Sequence, residues 1–213
     1  MYPSLTVKGT SVIHDRASVK TRPVFCYYKH PRPGDYFIND LSGVGYIHED
    51  VFADNCPATE QQRILKEFQR LSGIYRARLD TTVMAMLAEM RPEMLATLPE
   101  IPGMTAVFAN YVRTHATTPA NTVAQAADLP VFLSINRPPT ELTFAPDRRE
   151  SAELVMIGEI KRWTPAQGPA FLHVFLANWL THIQMLENIA KGLGPEYVAV
   201  RPDQLVALCG AAT

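Results

Sequence analysis

The residues best equipped for chemistry crowd into one short stretch, Asp35-Tyr-Phe-Ile-Asn-Asp-Leu-Ser-Gly-Val-Gly-Tyr-Ile-His-Glu-Asp50. Four carboxylates (Asp35, Asp40, Glu49 and Asp50), an amide and the His48 imidazole stand beside an aromatic run and two glycines. Paired carboxylates are what glycosidic bond cleavage needs, one to protonate the leaving oxygen and one to attack or to activate water. Asp40 and Glu49 are the candidates here, although Asp40 could equally bind the amides of the turn at Ser42-Gly43, and Glu49 could be solvated. Gly43 and Gly45 permit a close backbone approach that a side chain would exclude. Tyr46 follows them and can lie against a sugar face or fill the core. With no basic residue in this turn, it makes a poor phosphate cradle.

A second informative region lies far downstream. Pro169-Ala-Phe-Leu-His-Val-Phe-Leu-Ala-Asn-Trp179 precedes a helical stretch, and Leu193-Gly-Pro-Glu-Tyr-Val-Ala-Val-Arg-Pro-Asp-Gln-Leu205 follows it. Together with the glycine-tyrosine turn, these stretches resemble the C-terminal domain of the GxGYxYP family of putative glycoside hydrolases, over about 25–208. Gly43-Val-Gly-Tyr46-Ile47 follows the signature, whereas His48 and Glu49 stand where the family name has Tyr and Pro. The resemblance implies a glycan-related enzyme on a distorted TIM-like barrel, a further N-terminal domain before this one, and export. Residues 1–21 then read as an extension or the remnant of a preceding domain, and 22–213 as the domain itself.

Composition narrows the partners. Lys plus Arg (20) nearly balances Asp plus Glu (21) across 213 residues, so no overall field recruits nucleic acid or an anionic membrane. At 47% hydrophobic the chain can bury a substantial core. No apolar run is long enough for a membrane span, and the N-terminus lacks the succession of a signal peptide. Localisation stays unassigned, because export is implied only by the resemblance. Cys26, Cys56 and Cys209 have no metal-ligand spacing and read as buried thiols, with one disulfide plus one free thiol as the alternative.

The elements that must position these residues alternate between β-prone and amphipathic runs, the pattern of βα units and a largely parallel sheet. Strands are expected at 24–28, 44–48, 74–79, 105–109, 131–135, 170–176 and 197–200. A helix starting at Ala58 or Thr59 carries Ile64, Leu65, Phe68 and Leu71 and ends at Ser72-Gly73. A second helical run through Val83, Met84, Leu87 and Met90 is blocked at Pro92, with a short turn at Met94 and Leu98 after it. Residues 114–127 read as loop and weak helix, 138–147 as an exposed loop, and 150–163 as a helix. Leu180, Ile183, Leu186, Ile189 and Leu193 form the clearest helical stripe, closed by Gly194. The fold class is α/β, a distorted or incomplete TIM-like βα barrel.

In βα barrels and open α/β sheets, ligands bind at the carboxyl ends of the strands. Applying that rule yields Asp80, Asn110 and Tyr111, Asn136 and Arg137, Asn178 and Trp179, and Arg201 as residues at a common mouth. Asp80 is the first choice of catalytic carboxylate, with a helix N-cap as its competing use. Tyr46, Asn110, Asn136, Asn178, Trp179 and Arg201 would bind the substrate, Trp179 as a flat surface for sugar C–H groups and Asn178 as donor and acceptor for hydroxyls. The leading reading is a glycoside hydrolase domain with a carbohydrate substrate and no cofactor. Its competitors are a non-catalytic glycan-binding or scaffold domain and a metal-dependent carbohydrate hydrolase or deacetylase. For the metal reading, His48 with Asp35 or Asp50, or His173 with His182, are the candidates, but no compact ligand motif joins them. His173, inside an expected strand, reads as a hydrogen-bonded core residue.

Overall fold

The computed structural model describes Tyr36, Ile38 and residues 56–86, 90–110, 122–135, 149–176 and 183–212. Helix α1 (Ala58–Leu79) follows Pro57, with Glu60 in its first turn and Arg76 and Arg78 in its last, each on the favourable end of the helix dipole. Leu65 and Phe68 are buried as the spacing requires, while the ion pairs Glu60–Arg63 and Glu67–Arg70 lie on its solvated side. The helix does not stop at Ser72-Gly73. It runs on through 74–79, the residues expected to form a strand. The small side chains serve packing instead: Ser72 is fully buried, and a Cβ on Gly73 would stand 3.1 Å from Pro102 Cδ.

Asp80 ends α1 in the left-handed conformation, at φ 52°, and its N–H donates to the Arg76 carbonyl. Three residues later the chain enters strand β1 (Val83–Met86), where a helix was expected. All four β1 residues are buried, and a continuous apolar run of this kind has no period that separates a covered strand from a buried helix. The turn at Met94 and Leu98 is helix α2 (Pro92–Thr97) with a 3₁₀ extension, and it leads to β2 (Ala106–Ala109). Strands β3 (Val123–Ala126) and β4 (Leu129–Leu133) form a tight hairpin where loop and weak helix were expected for the first of them. Ala127 occupies the turn at φ 50°, a position that normally selects Gly or Asn, so no turn signature marks it. Helices α3 (Arg149–Arg162), α4 (Ile183–Leu193) and α5 (Pro202–Ala212) complete the described elements. Gly194 at φ 101° follows α4 as expected.

The sheet order is β1-β2-β4-β3, parallel from β1 through β2 to β4 and antiparallel at β3. Register and alternation divide its side chains cleanly. Met84, Met86, Val107, Ala109, Val131 and Leu133 join the core that holds Leu65 and Phe68 of α1, Met94 of α2, Met156 and Ile160 of α3, and Met185 and Ile189 of α4. Val83, Ala106, Phe108 and Phe132 face the other way, toward Cys209, Leu205 and Val206 of α5, with Tyr36, Ile38 and Phe171. Phe108 and Phe132 stack at 4.8 Å between centroids, and burying a ring of this size is worth about 2–3 kcal/mol.

The described residues form a mixed α/β fold with a four-stranded sheet, not a closed barrel. Residues 170–176 are extended but paired only through a parallel bridge between Ser134 and His173, and 197–200 are irregular chain between α4 and α5. The expected strands at 24–28 and 44–48 lie outside the described residues. Among the described residues no helix is long and apolar enough to cross a membrane.

Candidate functional site

Strand alternation builds the site one residue at a time. Ala109 points into the helix-covered core, so Asn110, just past the end of β2, projects from the same face as Phe108. Its backbone N–H donates to the Met86 carbonyl at 2.7 Å, which fixes Asn110 against the carboxyl end of β1. Leu133 and Ile135 likewise point into the helix-covered core and leave Ser134, at the end of β4, on the opposite face with Phe132. In the extended segment after α3, Leu172 and Val174 pack with that same core, whereas Phe171 packs on the α5 side; His173 between them shares the face of Phe171.

Hydrogen bonds lock the three together. Ser134 N–H donates to the Ala109 carbonyl, and Ile135 N–H donates to the His173 carbonyl at 3.0 Å. His173 Nε2 meets Asn110 Oδ1 at 2.5 Å, and the imidazole stands edge-on to Phe108 at 5.0 Å. An amide oxygen only accepts, so the neutral ring carries its proton on Nε2 and donates it to Asn110. Though His173 as a residue keeps some exposure, its ring is desolvated, and that burial pushes its pKa down to about 4. Asn110 and Ser134, just past the ends of β2 and β4, and His173, level with Ser134 in the neighbouring segment, therefore place three uncharged polar groups on one face of the sheet. Ser134 is fully buried, and its hydroxyl has no hydrogen-bond partner among the described residues.

Asp80 and Arg201 do not join this group. Asp80 terminates a helix rather than a strand, is exposed, and precedes β1, which places it at the amino edge of the sheet. Its expected position at a strand end and its N-cap reading both fall, since it is a left-handed C-cap. Arg201 leads into α5, where its guanidinium pairs with both carboxylate oxygens of Asp203 at 3.1 and 2.9 Å and its N–H donates to Gln204. Tyr36 ties this pair to the amino edge: it hydrogen-bonds Thr82, just before β1, and feels the charges of both Asp203 and Arg201. Burial is the main cause of its raised pKa. The five strand ends thus do not share one mouth.

Asp40, Glu49, Tyr46, Gly43, Gly45, Asn136, Asn178 and Trp179 lie outside the described residues, as do Asp35, Asp50, Tyr111 and Arg137. Cys56 and Cys209 are free thiols; Cys209 is buried, as expected, and that burial raises its pKa, whereas Cys56 is partly exposed. Trp163, just past the end of α3, lies in the core. Among the described residues no three His, Cys, Asp or Glu side chains converge as a metal site would need.

Ser134 was not foreseen, and His173 was foreseen as a hydrogen-bonded core residue or, with His182, as a metal-ligand candidate. The signal was present in both strands, because each residue is a polar position bracketed by apolar ones that point the other way.

Comparison with known proteins follows the same lines. In fold, the chain is similar to a putative hydrolase from Bacteroides thetaiotaomicron VPI-5482, at a TM-score of 0.61 and 18% identity over 88% of this chain. The match covers 35% of that protein, so this chain spans about a third of its length. No curated protein matches the chain. The model of the GxGYxYP putative glycoside hydrolase C-terminal domain matches residues 23–209, and the chain belongs to that family.

Proposed function

We propose that the chain is a carbohydrate-hydrolysing domain whose substrate lies across the carboxyl ends of β1, β2 and β4. The observation that carries this reading is the single-face cluster of Asn110, Ser134 and His173, at the edge where α/β proteins bind ligands, in a chain of a glycoside hydrolase family. Asp40 and Glu49, from the glycine-tyrosine stretch, are the acid and the nucleophile or base. Tyr46, Asn136, Asn178 and Trp179 add contacts to the glycan. A distorted barrel belongs to this reading, supported by the parallel run of β1, β2 and β4 and the parallel bridge from Ser134 to His173, with the antiparallel β3 as an insertion between β2 and β4. Arg201, held by Asp203, and Asp80, at the opposite edge, have no part in it.

A second reading is favoured by the chain's spanning only 35% of the similar hydrolase. Here the domain binds glycan, and the catalytic carboxylates come from another part of a longer protein. One screen on assorted oligosaccharides separates the two. In the first reading wild type turns over at least one glycan, Asp40→Asn and Glu49→Gln each lose about 10²-fold or more, and Asp80→Asn keeps its rate. Binding without turnover supports the second reading. Loss of turnover in Asp80→Asn, with its fold intact, overturns the assignment of the carboxyl edge.

A further inference from the structure

Tyr36 and Ile38 are the described residues of the stretch that carries Asp40, Gly43, Tyr46 and Glu49, and both are held. Their spacing of two lets an extended chain turn both side chains to one face, and both pack on the α5 side of the sheet with Val83, Phe108, Phe132 and Cys209. Tyr36 has a polar tie besides. Its hydroxyl hydrogen-bonds the Thr82 side chain, and burial raises its pKa, so the phenol stays protonated throughout the neutral range. Thr82 is a firm post: its carbonyl accepts the Thr105 N–H at 2.7 Å and the Thr105 hydroxyl at 3.1 Å, which locks it to the chain just before β2.

The other end of the stretch is fixed on the opposite layer. Helix α1 ends at Asp80 on the amino edge, and its 22 residues extend about 33 Å, whereas the four residues of β1 rise only about 13 Å. Leu65 and Phe68 hold the helix in one core with Met84 and Met86, so its first turn stands past the carboxyl edge. The chain between Ile38 and α1 must therefore pass from the α5 layer to the α1 layer and arrive on the side of Asn110 and His173. Asp40 follows Ile38 by two residues, which is at most about 7 Å of extended chain.

Resting on the carbohydrate reading above, we propose that Tyr36 is a positioning residue for hydrolysis: with Ile38 seated in the α5-side core, its tie to Thr82 sets where the chain leaves the sheet and so where Asp40 stands. Tyr36 does not touch the substrate; it acts through Asp40. Losing such a tie costs catalysis more than binding. A carboxylate displaced by about 1 Å leaves the glycan contacts in place but loses the geometry of proton transfer or attack.

The test uses the whole chain on a glycan that wild type cleaves, with Tyr36→Phe, Thr82→Val, the double variant and Thr82→Ser. The expected result is a kcat about tenfold lower in each of the first two, KM within about twofold of wild type, a double variant no worse than either single one, and most of the rate restored in Thr82→Ser. Losses that multiply in the double variant, or full kcat with a lower melting temperature in Tyr36→Phe, overturn the positioning role. Hydrogen exchange adds a readout that needs no substrate: Tyr36→Phe should speed exchange across 39–50 about tenfold and leave 83–86 as in wild type. Unchanged exchange across 39–50 overturns the anchor even where the rate falls. If wild type turns over no glycan, the carbohydrate reading and the hydrolytic role of Tyr36 fail together, and faster exchange in the variant then leaves Tyr36 an anchor of the fold alone.

Discussion

At the scale of single residues, His173 carries the clearest solution signature. Folded, its ring resists protonation until about pH 4; unfolded, it protonates near the ordinary value of 6.5. Between those values the unfolded chain binds more protons, so stability rises with pH through the window and falls as pH drops from 6.5 toward 4. A depression of this size corresponds to about 3 kcal/mol. His173→Gln removes the titration yet keeps an amide donor for Asn110. Urea unfolding at pH 4.5 and 7 should show a smaller difference in stability for the variant than for wild type. An equal difference would mean that the imidazole is not held neutral by burial. The left-handed Asp80 shows the opposite lesson at the same scale, because Asp is a good residue both for an N-cap and for a left-handed position, and its type alone does not tell which.

At the scale of elements, what could be read in advance was what had a period or a punctuation mark. Helix α4 carries regular apolar spacing and Gly194 marks its end, whereas α3 has little apolar periodicity and leaves Leu154 and Val155 exposed. Strands β2 and β4 are short apolar runs followed by Asn110 and by Ser134. Other elements defied local reading for physical reasons: β1 is covered on both faces and lacks alternation, β3 is built from Ala and Gln around an unmarked turn, and Gly73 serves the approach of Pro102 inside α1. Helix α5 had a signal that went unused, Pro202 at its first position with Asp203 beside it. For the site, Asn110 was legible from the strand-end rule, but Asp80 and Arg201 inherited their places from strands that are a helix and an irregular segment. The junction of β2 and β4 rests on the Phe108–Phe132 stack, which also backs the His173 ring. Phe132→Ala should cost about 3–5 kcal/mol in urea unfolding, the loss expected for a fully buried ring and the cavity it leaves. A cost below about 1 kcal/mol would mean that this face is not a packed core.

At the scale of the whole molecule, the mixed sheet is a middle layer, with α1 to α4 contributing to one core and α5 to the other. That arrangement makes a demand that a sheet with one wet face would not make. Val83 and Met84 are successive residues of β1 with side chains on opposite faces, and each is buried almost completely. In a half-exposed sheet, one of two adjacent positions accepts a charge freely; here neither can, because an aspartate on either side would be an unpaired ion in an apolar core. Val83→Asp and Met84→Asp should therefore each remove most or all of a typical domain stability of about 5–15 kcal/mol. Near-ultraviolet circular dichroism and thermal melts of the two variants read this directly, with loss of the tertiary signal in both as the expected result. A wild-type melt in Val83→Asp would show that α5 leaves its face of the sheet open to water, and the same result in Met84→Asp would dismantle the larger core. Because the carboxyl-edge cluster stands on the α5 side of that layer, the Val83→Asp outcome also decides whether Asn110, Ser134 and His173 have a dry floor beneath them.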